Sequence, residues 1–569
     1  MRNKLTGQIN ANETGPRSRD GVAQTNCWSC DPGKKKYILD GQTICLSTQD
    51  VWHDYQCPQS GNPIHQLTGV KSQAQTLPIA LAGDTFSIHY RSTAALSRHA
   101  EGNSYLHNGK YDPQTGETLA WGDFGKLWSS TFHQRLTINP NGKALKATLG
   151  KEVLNFYREG SIWKSKEATG IKLDLIENGY RLQHTAQLLI NDYDFEGNLR
   201  FSTRSDGTKI KAVYSTSATP ITDAPYAGYL LSLTAPFGRR VSFSHKILSD
   251  GSVGVTTAFD SAGLNIDFNY DAHARLSTLI WQDGSKRSFV YDSPHSNQEW
   301  ALTGLIDENS KRHATFTYSL DGWASSTEHA NGTNKYTASY LTPPKPVVRE
   351  EIDLALSVIW RHHEWQLPVG TNVSQPFGNN LQFNATAVLG SAGQNVQGSP
   401  RSIGVSQPAG AGCGASSKSA GYDNLGNMTS QDDFNGRRVC YGYDERNQVT
   451  SRIEGLNGGN AGTACSAALN APSFATLPTE ARKISTQWHP DWKLETRRAE
   501  PKKLTTWVYN GQPDPFNGNQ IANCTSPSYG ATVVDPLPDG KPIAVLCKQV
   551  EQATLDANGS QGFAATLAP

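Results

Sequence analysis

From about residue 150 onward the chain is built of short runs in which apolar and polar residues alternate, separated by Gly, Asp and Asn at near-even intervals. Ser288-Phe289-Val290-Tyr291 and Ala314-Thr315-Phe316-Thr317-Tyr318 show the pattern. A period of two buries one face of a sheet and wets the other, so these runs predict strands. Between Ser242 and Asp292, acidic turn residues fall at Asp250, Asp260, Asp271, Asp283 and Asp292, with gaps of 10, 11, 12 and 9 residues. Each gap fits one strand and one turn.

The alternation carries a longer beat. Tyr193, Tyr270 and Tyr422 are each followed 21 residues later by a tyrosine, at Tyr214, Tyr291 and Tyr443, and Tyr318 is followed by Tyr340, one residue out of step. Fourteen residues after each first tyrosine stands Gly207, Gly284, Gly332 or Gly436, preceded by Asp206, Asp283, Asn331 or Asn435. Asp-Gly and Asn-Gly favour two-residue hairpin turns. Four residues after the tyrosine stands Gly197, Gly322 or Gly426, with Ala274 the exception, marking a second turn. Each unit therefore reads strand, turn, strand, turn. One such hairpin cannot bury its own apolar face, so neighbouring units must complete the core. The fold class is all-β, an array of antiparallel hairpins with the tyrosines in one register along one side.

These motifs resemble the Rhs, or YD-repeat, family. The resemblance rests on Tyr193-Asp194-Phe195-Glu196-Gly197-Asn198-Leu199, Tyr270-Asp271-Ala272-His273-Ala274-Arg275-Leu276, Tyr422-Asp423-Asn424-Leu425-Gly426-Asn427-Met428 and Tyr441-Gly442-Tyr443-Asp444. Upstream, Gly61-Asn62-Pro63-Ile64, Thr68-Gly69 and Ile88-His89-Tyr90-Arg91-Ser92 resemble the domain that precedes the repeats. It covers about residues 60 to 510. It implies a sheet that spirals into a hollow shell, which in bacterial toxin-bearing members encloses a C-terminal effector and in others is displayed at the surface or wall. The chain lacks an Asp-Pro-x-Gly-Leu closing segment, so autoproteolysis and toxin activity do not carry over. Without that segment at least one sheet edge is expected to be free.

Composition agrees with a turn-rich β protein: 37% hydrophobic and 18% charged residues, with 52 Gly and 29 Pro. The net charge of +1 gives no field to recruit nucleic acid or an anionic membrane. No apolar run approaches the ~20 residues of a membrane span. The first 20 residues lack the apolar core of a signal peptide. The nine cysteines nevertheless favour an oxidising compartment, hence a secreted or cell-surface protein.

Along the chain, residues 1–60 are a polar leader bearing Cys27, Cys30, Cys45 and Cys57. Residues 61–150 are an N-terminal β domain, with strands near Thr85 to Tyr90 and Thr131 to Ile138 and a core including Trp121, Trp128 and Phe132. Residues 151–345 are the repeat array. Residues 346–420 are divergent repeats, with a strand over Glu350 to Trp360 and a Gly/Ser-rich loop over 391–420. Residues 421–510 hold further repeats with an insertion at 456–480. Residues 511–569 are a loop-rich tail, with 510–545 placed as a surface loop.

The candidates for chemistry are weak. Cys27-x2-Cys30 could form half of a zinc clasp completed by Cys45 and Cys57, with His53 as a substitute ligand, but Cys45 and Cys57 are not a second close pair and disulfides fit better. Cys440 with Cys465, and Cys524 with Cys547, are spaced to close two long loops as disulfides. His362-His363-Glu364 lacks the spacing of a zinc protease helix. Gly410-Ala411-Gly412-Cys413-Gly414 lacks the Lys-Ser/Thr of a phosphate loop. Asp194, Asp271 and Asp423 stand beside turns, where carboxylates bond backbone amides more readily than they form a glycosidase pair. No catalytic, cofactor or metal residue is assigned. The expected role is a non-enzymatic scaffold whose partners are further repeats or a C-terminal effector. The alternative is a surface module that binds glycans or another cell through exposed aromatics.

Overall fold

The computed structural model describes most of residues 59–569, without 93–109, 112–117, 120–123, 354–358, 391–396, 471–477, 526–535 and several shorter stretches. Before residue 59 it describes only the backbone of Lys34–Leu39 and Gln42–Ser47. Cys27, Cys30, Cys57, Trp121 and Cys413 fall outside the described residues, as does the side chain of Cys45.

The fold is all-β, as the alternation predicts. A single antiparallel sheet of 26 strands runs from Ile171–Ile176 to Leu546–Ala553 almost wholly in chain order. Local alternation builds each strand. In Arg312–Tyr318, Ala314, Phe316 and Tyr318 are buried while Thr315 and Thr317 are not. In Asn265–Tyr270, Ile266 and Phe268 take the buried positions.

The tyrosine beat has a specific structural content. The pairing register shifts by one at Tyr193, Tyr270, Tyr318, Tyr422 and Tyr443, so each sits at a β-bulge that ends a strand. A bulge re-aims the side chain and sharpens the local twist. Bulged Tyr193 donates to Gln134, ahead of the repeats, whereas other repeat phenols, bulged or, like Tyr291 and Tyr340, at regular strand ends, reach the preceding unit. Tyr270, Tyr291 and Tyr443 donate to the backbone carbonyls of Val255, Leu276 and Met428, each 15 residues back, at 2.6, 3.0 and 2.7 Å. Tyr318 and Tyr340 reach Leu302 and Ala324, 16 residues back, at 2.8 and 2.6 Å. The one-residue irregularity in sequence is thus absorbed without losing the bond. Burial pushes the phenols of Tyr291, Tyr318 and Tyr340 well above their ordinary range, so they stay protonated donors. Tyr318→Phe is expected to leave the Leu302 carbonyl short of a partner and to cost about 1–2 kcal/mol. A urea titration that places the variant within ~0.3 kcal/mol of the parent would contradict this.

The predicted two-residue Asp-Gly turns are corrected. Arg204 and Thr208 close a three-residue loop, Arg204 N–H donating to the Thr208 carbonyl, with Gly207 at φ +87° and no left-handed Asp206. Trp281 and Ser285 do the same around Gly284. A type I turn followed by a left-handed glycine needs only one positive φ, so Asp206 is free to cap the Thr208 amide at 2.8 Å. At Asn331-Gly332 both residues are left-handed, as the two-residue turn requires.

Residues 391–420 are also corrected. Their small-residue composition reads as a loop, yet Gln397–Gln407 and Ser416–Tyr422 are strands of the large sheet. Ladder partners on both sides supply what the side chains lack. Lys345–Asp353 and Ile359–Leu367 form a hairpin, so the alternation over Glu350 to Trp360 marks two strands; Leu354, Leu356 and Val358 between them lie outside the described residues. The insertion at 456–480 carries a helix, Cys465–Asn470, fixed to the strand Arg437–Tyr443 by the Cys440–Cys465 disulfide.

The described residues of 61–165 share one core with the repeats. Ser72–Leu81, Asp84–Arg91 and Trp128–Ser130 form a three-stranded sheet. Its aromatic face meets the large sheet: Phe86 lies 5.5 Å from Phe243, Trp128 4.5 Å from Phe289, and neighbouring Phe124 4.8 Å from Phe268. Tyr90 donates to the Trp300 carbonyl and accepts from the Leu302 amide. Further along, Leu136 N–H donates to the Gly197 carbonyl at 2.9 Å, and the buried Arg135 guanidinium bonds Asn198 and the Glu196 carbonyl.

Candidate functional site

The aspartates that follow the repeat tyrosines are occupied by the turns. Asp194 accepts from the Asn198 amide, Asp271 from the amides of His273 and Arg275 and from the Arg275 guanidinium, and Asp423 from the Asn427 amide. His362, His363 and Glu364 stand in the strand Ile359–Leu367, and their side chains lie outside the described residues, as do Gly410 to Cys413. Among the described residues, no three His, Cys, Asp or Glu side chains are grouped to hold a metal ion. No described helix is long and apolar enough to cross a membrane.

Among the described residues, the end of the array meets its beginning along a seam. Arg181 donates to the Pro538 carbonyl at 2.6 Å, 357 residues away, while its guanidinium makes a two-pronged pair with Asp192 at 2.7 and 3.0 Å. That pair holds the guanidinium even further into its charged form. Gln183 reaches the Asp491 carbonyl at 3.5 Å. The Lys493 amide donates to the Thr185 carbonyl at 3.1 Å, and the Ala544 amide to the Ser205 carbonyl at 2.6 Å. Beneath these bonds Ile190 packs with Trp492, Leu537, Ile543 and Ala544 in a separate apolar cluster. The segment 510–545, placed as a surface loop by its Pro/Gly/Asn content, therefore buries part of its length. Leu537, Ile543 and Ala544 are too apolar to remain in water once a hydrophobic surface faces them.

Two devices hold that segment. The Cys524–Cys547 disulfide joins it to the last strand, Leu546–Ala553, so both pairings predicted from spacing are present. Asn510 donates from its side chain to the Ile543 carbonyl and accepts the Cys524 amide. Burial works against a charge on Lys541, but Asp491 and Asp539 outweigh it and raise its pKa.

On the other side of the seam, the turn 489–494 is a repeat unit that the tyrosine beat does not reveal. Trp488 stands 21 residues before Tyr509. It carries the bulge that the tyrosines carry and donates its indole N–H to the Val449 carbonyl at 2.9 Å. His489 then takes the place of the repeat aspartate, its Nδ1 accepting the Asp491 amide at 3.1 Å, two residues on. The signal is in the spacing: tryptophan is the other aromatic with a hydrogen-bond donor at its rim.

No family model matches this chain, and no curated protein sequence matches it. Solved structures do. A Photorhabdus luminescens Tc holotoxin pore is 10% identical with a TM-score of 0.28, over 76% of this chain and 25% of that one. A TcdB2-TccC3 crystal structure is 11% identical with a TM-score of 0.26, over 74% of this chain and 27% of the other. A porin-like protein from Bacteroides uniformis is 12% identical with a TM-score of 0.16, over 49% of this chain and 92% of the other. The chain spans about a quarter of the length of the toxin chains it matches. At such scores these likenesses carry no functional conclusion.

Proposed function

We propose that this chain is a non-enzymatic scaffold of the Rhs type, a curved β wall that encloses or presents further polypeptide. The seam is the observation that supports this reading best. A 26-stranded sheet whose end packs on its beginning is a wall bent around a space, whereas an extended solenoid would keep its ends apart. The repeat polar groups serve the wall itself, since the tyrosine phenols join successive units and the aspartates cap the turns. In this reading Leu546–Ala553, which has a strand neighbour on one side in the described sheet, is the edge to which further repeats or a partner strand add. The two disulfides favour a secreted or surface-displayed protein.

Small-angle scattering of the full chain tests the wall. A solid globule of this length has a radius of gyration of about 25 Å. The wall predicts a larger value, with a distance distribution depleted at short separations. A radius at the compact value with a globular distribution would contradict it.

A further inference from the structure

We infer that the seam is an acid-sensitive latch whose trigger is His489. In four other repeats the turn after the aromatic residue is capped by an aspartate: Asp271 and Asp444 accept the amide two residues on, from His273 and Arg446, each at 2.9 Å, and Asp194 and Asp423 accept the amide four residues on. A carboxylate remains an acceptor down to low pH. At the unit that carries the seam, the cap is an imidazole. His489 Nδ1 accepts the Asp491 amide, so the neutral ring carries its proton on Nε2. A second proton turns Nδ1 into a donor facing a donor, and the cap is lost.

The turn that this cap shapes is the tongue of the latch. The His489 amide donates to the Leu494 carbonyl at 2.8 Å, closing the turn. Within it, Asp491 offers its carbonyl to Gln183, Trp492 fills the apolar cluster against Ile190, and Lys493 donates to Thr185. Three successive residues thus cross the seam from one turn.

The charges around the ring favour release. From the turn 444–448, Arg446 donates to the carbonyls of His489 and Pro490 and brings its cation close; Asp444 lies beside Arg446 at 3.7 Å. From the segment 537–541 comes Lys541, paired with Asp491 and Asp539. Tyr509 packs edge-on at 5.8 Å, and Glu495 follows the turn. Burial is the main force keeping the ring neutral. The Arg446 and Lys541 cations add to it, Asp491 opposes them, and the pKa falls from 6.5 to about 4. A group whose pKa is depressed in the closed state and ordinary in the open one binds its proton more tightly when open. The closed seam therefore has its full stability above about pH 6.5 and loses it as pH falls toward about 4.

Hydrogen exchange of the full chain with its disulfides intact tests the latch. Protection of the Lys493 and Ala544 amides is compared, after correction for intrinsic rates, at about pH 7.5 and about pH 4.5. The latch predicts a loss of about tenfold or more at those amides. Amides in the middle of the sheet, such as Phe268, should keep theirs. His489→Asn and His489→Asp supply an acceptor that does not convert to a donor in this range, and Asp restores the residue that stands at Asp194, Asp271, Asp423 and Asp444. Both are expected to keep the seam protected at the lower pH. Equal seam protection at the two pH values in the parent, or an acid loss in either variant as large as in the parent, would overturn the inference.

Discussion

Gly197→Ala is expected to be among the most damaging single substitutions in the chain, costing more than ~4 kcal/mol. The position is left-handed, at φ +83°, where a side chain costs ~1–2 kcal/mol. Most of the damage comes from a collision. A Cβ at residue 197 would lie 1.8 Å from the Leu136 carbonyl oxygen, a backbone atom that cannot swing away. Leu136 and Gly197 are joined by the hydrogen bond that docks the segment before the repeats onto the first repeat turn. Ala274 provides the internal control. It occupies the equivalent turn position at φ +59°, and there the approaching strand supplies the glycine instead: a Cβ on Gly125 would meet the Ala274 carbonyl at 2.7 Å. Each close approach thus uses one glycine, on one partner or the other. Ala274→Gly is accordingly expected to shift stability by no more than ~1 kcal/mol. Thermal and urea unfolding of both variants check the pair; a mild Gly197→Ala would mean that the segment does not dock on that turn.

Trp492→Ala is expected to cost about 3–5 kcal/mol at the seam, the range for deleting a large buried aromatic. Trp492 is 1% exposed and packs with residues from both ends of the array. The loss should be local. Protection of the Lys493 and Ala544 amides should fall with it, while strands in the middle of the sheet such as Asn265–Tyr270 keep theirs. A global loss of protection, or a change below ~1 kcal/mol, would show that the seam is not an independently opening unit.

Much of the fold is legible in the sequence because its information is periodic. Tyr270, Tyr318 and Tyr443 mark bulges and, with Tyr291, inter-unit bonds, and their spacing follows from the hydrogen bond each must reach. The pairings of Cys440 with Cys465 and Cys524 with Cys547 are legible from the loops they close. The turn type at Asp206-Gly207 is not, since the dipeptide suits more than one hairpin and the flanking strands choose between them. Nor are the strands within 397–422, where neighbours on both sides impose what Ser and Gly do not favour. The seam is the least legible feature. Its partners lie more than 300 residues apart, as Gln183 and Asp491 do, and no local pattern encodes such a meeting. Trp488-His489 falls outside a beat defined by tyrosine and aspartate, whereas the fold requires only an aromatic donor and a turn acceptor.

If the array returns onto itself, an engineered cross-link between its two ends should form, and this tests the closed wall most directly. A Cβ built on Gly207 would lie 3.9 Å from the Cβ of Ile543, inside the ~3.5–4.5 Å window of a disulfide. The double variant Gly207→Cys with Ile543→Cys, oxidised and digested without reduction, should yield a peptide pair joining these two positions, and the pair should vanish on reduction. Full oxidation with no such pair would mean that the two ends of the sheet do not meet.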